Sequence, residues 1–192
     1  MDGEQSTVEA RARTSPSRSS GSGAEAVHRP RIGVIADTHG LLRPAVFDLF
    51  EGVSLILHAG DVGDPAILAD LEAIAPVVAV WGNVDGWKIR EQTSETASGE
   101  LARLRWGMAH GHREQPAYER LVARFPGADL VVHGHSHVPA LDRVGSALLL
   151  NPGAAGPKRF DLPASVAVVE PTDGGPPRIA HLDLETGEAF RV

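Results

Sequence analysis

The sequence contains no cysteine among its 192 residues. A disulfide framework, a thiolate-held zinc and a cysteine nucleophile are therefore excluded, and any metal must be held by His, Asp, Glu or Asn. No apolar run approaches the ~18 residues that cross a bilayer, so no membrane partner is expected. Residues 1–5 lack the basic start and apolar block of a secretory signal, which favours a cytoplasmic protein.

Positive charge is also scarce. The chain carries 18 Lys and Arg against 25 Asp and Glu, which gives a formal net charge of -7 with histidine neutral. This is the wrong sign for a nucleic-acid footprint, so we expect no long nucleic acid as a partner. A phosphate-handling site would need local positive charge, and metal ions could supply it.

The chain divides into a short tail and one domain. Residues 1–29 are rich in serine, alanine and glycine with scattered arginines, a composition typical of flexible chain. The remaining residues, 30–192, have the length and hydrophobic content of a single folded domain. We therefore predict a disordered tail over 1–29 and a domain over 30–192.

Three strand–loop–helix units open the domain. Their strands are predicted at 32–36, 55–59 and 77–81, and each ends in a loop with glycine and polar residues. Such units indicate a parallel sheet whose functional side chains gather at the carboxyl ends of its strands.

The second half is rich in short β-strands separated by turn residues. The sequence predicts a loop or short helix over 87–99, a helix over 116–125, and strands at 101–105, 129–132, 146–150, 165–169, 179–184 and 189–192. The expected fold class is α/β (α+β), with two packed mixed β-sheets flanked by helices in a four-layer αββα sandwich.

Three histidines, His133, His135 and His137, end an apolar run that begins at Val131. The β-branched run and Gly134 indicate a buried strand that enters a tight loop, in which alternate imidazoles converge. A single loop histidine without a ligand would be ordinary, whereas three within five residues indicate a metal site.

Polar residues that follow the other predicted strands extend this candidate site. Carboxylate, amide and imidazole groups suit a divalent transition metal. Because seven candidates exceed the three or four protein ligands of one site, we expect two ions that share a ligand. The candidates are Asp37, His39, Asp61, Asn83, His110, His135 and His137.

Other histidines and basic residues have simpler interpretations. His58 and His133 are predicted to be hydrogen-bonded supporting residues, and His181 a surface residue of a late strand. Four basic residues are candidate phosphate contacts, although a solvated charge is the simpler interpretation of each: Arg43, Lys88, Arg90 and Arg113.

Five motifs in this order carry a family resemblance: Asp37-x-His39, Gly60-Asp61, Gly82-Asn83-x-Asp85, His110-Gly111 and Gly134-His135-x-His137. Together they resemble the calcineurin-like metallophosphoesterases, in particular the small single-domain bacterial and archaeal phosphodiesterases. The resemblance covers residues 31–192. A single motif such as Gly60-Asp61 would occur by chance in many other proteins.

The resemblance implies how the ligands divide. Asp37, His39 and His137 would hold one ion, and Asp61 would bridge both ions. The ligands of the other ion would be Asn83, His110 and His135. A carboxylate suits the bridge because it offers two oxygens. The resemblance further implies a phosphodiesterase that hydrolyses a small phosphate ester with a hydroxide shared by two Mn²⁺ ions, with Fe, Zn, Co or Ni as possible replacements.

Two further residues are candidates for the chemistry. Many members of the superfamily have a histidine after the motif asparagine, proposed as the acid for the leaving group, and here that residue is Val84. His112 could contact the phosphate or donate a proton, or have only a structural role. Asp85 is predicted to orient a ligand imidazole or to cap a turn.

Two alternatives to a general phosphodiesterase stay open. One branch of the family, the retromer cargo-sorting subunit, serves mainly as a scaffold, and a binding module of that kind is the first alternative. A nuclease or a phosphodiesterase specific for cyclic nucleotides is the second. The presence of a competent ligand at all seven positions favours an enzyme over a scaffold.

Overall fold

The computed structural model describes residues 29–115, 117–158 and 161–192. The predicted tail, apart from Arg29, lies outside these residues. Within the described chain no helix has the length and apolar character needed to span a membrane. Its elements, in chain order, are β1 Ile32–Ile35, α1 Ala45–Leu49, β2 Leu55–His58, α2 Ala66–Glu72, β3 Val77–Ala79, α3 Trp87–Arg90, β4 Thr96–Leu101, β5 Leu104–Ala109, α4 Tyr118–Ala123, β6 Leu130–Val132, β7 Ala140–Val144, β8 Ala147–Asn151, β9 Ser165–Glu170, β10 Arg178–Asp183 and β11 Ala189–Phe190.

The strands form two mixed sheets. The first has the order β11-β10-β9-β1-β2-β3, with β1, β2 and β3 parallel and the other pairs antiparallel. The second has the order β4-β5-β6-β8-β7, with β5, β6 and β8 parallel and the two edge strands antiparallel. In both sheets the loops that follow the central parallel strands carry the candidate site.

Apolar side chains fill three layers of core. Between the sheets, Ile32 and Val34 of β1 belong to one buried cluster with Met108 of β5 and Leu130 of β6. Outside the first sheet, side chains of the opposite faces of β1 and β2 pack with those of α1 and α2. Outside the second sheet, Leu121 of α4 packs in a separate cluster with residues of β6 and β8. The predicted four-layer αββα sandwich is therefore confirmed.

The alternation of strand residues explains this layering. Successive residues of a strand face opposite sides of the sheet, so Val34 faces the second sheet whereas Ile35 faces the helices. Gly33 breaks the apolar run because a Cβ atom there would lie 2.9 Å from the ring of Phe50. Its missing side chain lets the end of α1 lie close against β1.

Two sequence predictions for the second half were wrong, the strand over 101–105 and the loop or short helix over 87–99, which contains most of β4, and β7 was not predicted. The proposed strand over 101–105 is interrupted by the hairpin turn between β4 and β5, in which Ala102 and Arg103 have φ of 48° and 67°. This pair lacks the Asn or Gly that signals a hairpin. The strands β4 and β7 are mainly exposed edge strands with polar sequences, so neither gives the apolar alternation that predicts a strand.

His181 corrects the prediction of a surface residue. Its side chain is 3% exposed, and Nε2 lies 2.8 Å from the carbonyl oxygen of Asn151. The adjacent Leu182 packs against the core on the helix side of the first sheet. Both faces of β10 are thus covered at this point, which the alternation of residues in the sequence does not indicate.

Candidate metal centre

Loops from both sheets meet at one edge of the sandwich. Asp37 and Asp61 follow the neighbouring parallel strands β1 and β2, and His110 and His135 follow β5 and β6 of the other sheet. The carboxyl ends of parallel strands lie at one edge of a sheet, and the packing of the two sheets brings these edges together. All seven predicted ligands contribute to the resulting cluster.

One group of potential ligands contains both carboxylates of the cluster. Its four residues offer ligand atoms that all lie within 4.8 Å of one another: Asp37, His39, Asp61 and His137. Nε2 of His137 lies 3.4 Å from Oδ1 of Asp37, and Nε2 of His39 lies 3.9 Å from Oδ2 of Asp61. Carboxylate oxygens and imidazole nitrogens that face one another in this way fit a divalent cation.

The second group shares Asp61 with the first. It combines Asp61 with His110 and His135, and Nε2 of His110 lies 3.3 Å from Oδ2 of Asp61. The amide oxygen of Asn83 lies 3.2 Å from the same Nε2 atom. Asp61 is therefore the one acidic residue common to both groups among the described residues.

An unsatisfied buried oxygen supports metal binding at the first group. Asp37 is fully buried, and its Oδ1 atom has no hydrogen-bond partner among the described residues. A buried carboxylate oxygen without a partner is costly unless it is ionised beside a cation. The other oxygen, Oδ2, accepts the backbone N–H of His135 at 3.0 Å and so fixes the carboxylate plane.

His110 is oriented by a backbone contact of the kind that supports ligand histidines. Its Nδ1–H donates a hydrogen bond to the carbonyl oxygen of Ala59 at 2.8 Å. This assigns the lone pair to Nε2, which faces Asp61 and Asn83. The neutral ring thus presents its Nε2 lone pair to a cation, whereas protonation of Nε2 would block this position.

The charge states of the cluster depend on burial and on mutual contact. Burial raises the pKa of Asp61, but the hydrogen bond and charge of His110 and the amide of Val84 outweigh it, so the pKa lies below its usual range. Burial lowers the pKa of His110, whereas Asp61 and Asp37 raise it above its usual value overall. Protons therefore compete with a cation for His110 at acid pH.

The ligand loops have an unusual backbone. Positive φ values, which residues other than glycine rarely adopt, occur at five of the seven predicted ligands. The five, with φ between 46° and 68°, are Asp37, His39, Asp61, His135 and His137. Such strain persists where the surrounding structure imposes it, and it is concentrated at functional sites.

Two glycines allow the loops to approach one another. A Cβ atom on Gly82 would lie 2.0 Å from Oδ1 of Asp61, and one on Gly134 would lie 2.8 Å from Oδ2 of Asp37. Both distances are shorter than any tolerable carbon–oxygen contact. The glycines of the Gly82-Asn83 and Gly134-His135 motifs are thus needed because the carboxylates occupy the space of a side chain.

Asp85 ties the loops of the centre together. Its carboxylate accepts backbone N–H groups from Gly82 at 2.8 Å, Gly63 at 2.9 Å and Val62 at 3.2 Å. These contacts join the loop after β3 to the loop after β2, which carries Asp61. Its side-chain contacts among the described residues are to backbone amides rather than to an imidazole.

His112 lies at the side of the second group. Its ring centroid is 5.5 Å from that of His110 and 6.1 Å from that of His135. The Nδ1 atom of His112 is buried without a hydrogen-bond partner in the described chain. Burial lowers the pKa of His112, with the charges of His110 and Arg113 acting in the same direction.

Sequence reasoning missed Trp81, which reads as the last apolar residue of a strand. Its ring lies 5.9 Å from that of His112, and the guanidinium carbon of Arg90 lies 4.3 Å from the indole centroid. Two other candidate phosphate contacts have different surroundings. Arg43 donates a hydrogen bond to the carbonyl oxygen of Gly156, and Lys88 is exposed. An aromatic residue beside the motif Gly82-Asn83 is the signal that could have indicated this contact.

Comparison with known proteins identifies the family. Residues 31–174 match the calcineurin-like phosphoesterase superfamily domain. The chain belongs to this superfamily. The predicted resemblance is thus confirmed for most of the domain, and both ligand groups lie within the matched residues.

Individual relatives include archaeal enzymes. A probable metallophosphoesterase of Methanothermobacter thermautotrophicus is 40% identical over 131 residues, which cover 64% of this chain and 76% of that protein. A phosphodiesterase of Methanocaldococcus jannaschii is 28% identical over 140 residues, 64% of this chain and 82% of that protein. Vacuolar protein sorting 29 of Cryptosporidium parvum has a similar structure, with a TM-score of 0.72 at 20% identity over 84% of this chain and 95% of the other. This last similarity concerns the fold alone.

Proposed function

We propose that this protein is a metal-dependent phosphodiesterase that hydrolyses a small phosphate ester at a two-metal centre. The observation that carries the proposal is the position of Asp61, whose carboxylate belongs to both ligand groups. A carboxylate can offer one oxygen to each of two cations, which an imidazole cannot. The name of the phosphodiesterase relative from Methanocaldococcus jannaschii supports the choice of a diester substrate.

The proposed ligand sets follow the two groups. Asp37, His39 and His137 would hold one cation, and the second cation would be held by Asn83, His110 and His135, with Asp61 common to both. When bound, two such ions polarise a phosphoryl group and lower the pKa of a bound water. Manganese is the proposed metal, although these ligands also suit Fe, Zn, Co and Ni.

The chain's own residues then bind and orient the ester. His112 is proposed to donate an N–H hydrogen bond to a phosphoryl oxygen, because its ring lies beside the rings of His110 and His135. Asp85 acts as a positioning residue through the three backbone amides that it accepts. Val84 cannot protonate a leaving group, so esters with good leaving groups are the preferred substrates.

A scaffold is the second candidate function. Its support is the similarity in fold to vacuolar protein sorting 29. The seven positions all carry residues that can bind a metal, which favours the enzyme. The assignment of residues 30–192 to one domain with a disordered tail, and the cytoplasmic location, stay predictions.

Hydrolysis of bis(p-nitrophenyl) phosphate tests the proposal. The protein is stripped of metal, Mn²⁺ is added back, and turnover is compared with that of p-nitrophenyl phosphate. We expect metal-dependent cleavage that is faster on the diester and is lost in Asp61→Ala. Asp64→Ala is the matched control, since Asp64 is exposed and its carboxylate accepts the backbone N–H of Ala66.

The outcomes separate the two candidate functions. Cleavage that persists at the full rate in Asp61→Ala would contradict the proposed ligand sets. Folded protein that takes up Mn²⁺ or Zn²⁺ without cleaving either ester would favour the scaffold. Metal content is measured by elemental analysis of the dialysed protein, so binding and turnover are read independently.

A further inference from the structure

Arg90 and Trp81 form an ordered surface beside the candidate metal centre. The guanidinium carbon of Arg90 lies 4.3 Å from the centroid of the Trp81 indole, a distance typical of a cation–π contact. Nε of Arg90 also donates to the carbonyl oxygen of Asp85 at 2.8 Å. A weaker contact of 3.5 Å joins Nη2 to the carbonyl oxygen of Gly82. The side chain of an exposed arginine is thus held in one orientation.

The charge of Arg90 is not neutralised by a neighbouring carboxylate. Within the described chain, Arg90 forms no ion pair with Asp or Glu, whereas Arg113 pairs with Glu95 at 2.9 Å. Arg113 lies over the same indole, with its guanidinium carbon 5.7 Å from the centroid. Of these two arginines, Arg90 is the one without a carboxylate partner in the described chain, so its positive charge is uncompensated before a ligand binds.

The surface adjoins the proposed ligands on two sides. Arg90 contacts the carbonyl of Gly82, the residue that packs directly on Oδ1 of Asp61. The Trp81 ring lies 5.9 Å from that of His112, which in turn lies beside His110. An anionic group attached to an ester bound at the centre would therefore reach Arg90 without leaving the protein surface.

We infer that Arg90, held on Trp81, binds a second phosphoryl group of the substrate, so that the preferred substrates are diesters of pyrophosphate rather than of a single phosphate. The planar guanidinium matches phosphate oxygens, and its fixed orientation lowers the entropic cost of binding them. The inference rests on the proposed phosphodiesterase function. In the reaction, water supplies a hydroxyl to the phosphorus that carries the leaving ester group, the bond from that phosphorus to the ester oxygen breaks, the ester group leaves as an alcohol or phenolate, and the pyrophosphate bridge stays intact while a proton is released.

A pair of substrates that differ by one phosphoryl group tests the inference. The p-nitrophenyl esters of thymidine 5′-monophosphate and thymidine 5′-diphosphate release the same nitrophenolate. For the Mn²⁺-loaded protein we expect a higher kcat/KM for the diphosphate ester, and Arg90→Gln should reduce the ratio of the two kcat/KM values roughly tenfold. Arg113→Gln is the control, because Glu95 already pairs with that arginine, and it should leave the ratio unchanged.

Calorimetric binding of thymidine 5′-diphosphate and thymidine 5′-monophosphate gives a second readout that needs no turnover. Arg90→Gln should weaken binding of the diphosphate by a similar factor and that of the monophosphate much less. If Arg90 only holds the Gly82–Asp85 loop, Arg90→Gln will weaken both nucleotides and both esters equally, and the inference is overturned. A wild-type protein that binds the two nucleotides in the expected order but cleaves neither ester nor bis(p-nitrophenyl) phosphate contradicts the proposed function alone.

Discussion

The Nε2 atoms of His39 and His137 lie 3.2 Å apart, although 98 residues separate them in the sequence. His39 follows β1 of the first sheet and His137 follows β6 of the second. Their rings, with centroids 5.0 Å apart, can meet only when the two sheets pack together. A cation that these residues share would therefore bind the folded chain in preference to the unfolded chain and would stabilise it.

The positive φ of His137 leads to a prediction about backbone strain. With φ at 59°, His137 lies in the left-handed region, where any L-residue with a Cβ atom is strained. We expect His137→Gly to be more stable than His137→Ala by about 1 kcal/mol in metal-free protein, since glycine adopts this conformation without strain. Urea unfolding in the presence of a chelator measures the difference.

The control for this prediction is Ala69→Gly. Ala69 is exposed in the middle of α2, where glycine is expected to destabilise the chain by about 0.5–1 kcal/mol. The two sites should thus respond to glycine with opposite signs. Equal destabilisation by glycine at both sites would mean that the loop at His137 relaxes to negative φ when its side chain is removed.

Asp85 should be more important for stability than its short side chain suggests. It is 4% exposed and accepts three backbone N–H groups, whereas an asparagine would turn its own NH₂ group toward some of these donors. We predict that Asp85→Asn lowers the free energy of unfolding by about 3 kcal/mol. Asp64→Asn, at an exposed carboxylate with a single amide contact, should change it by less than about 1 kcal/mol. Similar small changes in both variants would show that the Asp85 contacts contribute little.

Most of the fold could be predicted because its central strands are buried on both faces. β1 and β2 are mainly apolar runs, followed by Asp37 and by Gly60-Asp61, and such runs identify parallel strands without knowledge of their neighbours. The edge strands β4 and β7 obtain their conformation from pairing with β5 and β8, and their own residues carry no comparable signal. Long-range pairing therefore sets the part of the fold that sequence reasoning missed.

The site shows a similar division. The spacing of His135 and His137 and the glycines before Asp61 and Asn83 are local signals, and together with the positions of polar residues after predicted strands they predicted which residues come together. The role of Trp81 depends on contacts with Arg90 and His112, which belong to other segments of the chain. The local sequence shows only that Trp81 precedes the Gly82-Asn83 motif, and the fold determines which residues its ring contacts. The prediction that His58 is a supporting residue agrees with its contacts, since Nε2 lies 3.0 Å from Oγ1 of Thr38.

His58 should make the stability of the protein depend on pH. Burial is the main cause that lowers the pKa of His58 to about 4, with Asp85 and Asp37 opposing it. In the unfolded chain the pKa is the ordinary 6.5, so the unfolded state binds a proton first as pH falls. The contribution to stability is complete above pH 6.5 and is lost between pH 6.5 and 4, at about 1.4 kcal/mol per pH unit.

Comparison with His58→Gln isolates this effect from other groups that titrate in the same range. Glutamine is uncharged and retains groups that can bond Thr38 and the amide of Gly60. The free energies of unfolding of the wild type and of His58→Gln are measured in urea at pH 7 and pH 5. Between these two pH values the wild type should lose about 2 kcal/mol more stability than His58→Gln. A difference that stays constant over this range would mean that His58 has the same pKa in the folded and unfolded protein, and that burial does not lower it.

The last prediction concerns the glycine that packs on Asp61. A Cβ atom on Gly82 would lie 2.0 Å from Oδ1 and 2.5 Å from the backbone nitrogen of Asp61, so Gly82→Ala must displace the proposed bridging carboxylate. We expect Mn²⁺ affinity, measured by calorimetry on metal-stripped protein, to fall roughly tenfold or more, as it does when residues that orient metal ligands are changed. Gly86→Ala is the matched control: this glycine is the N-cap residue of α3, has an ordinary φ of -77°, and a Cβ atom there would meet nothing within 4 Å. If Gly82→Ala binds Mn²⁺ as tightly as Gly86→Ala does, the loop can move away from Asp61 without affecting the centre, and the close approach is not required for metal binding.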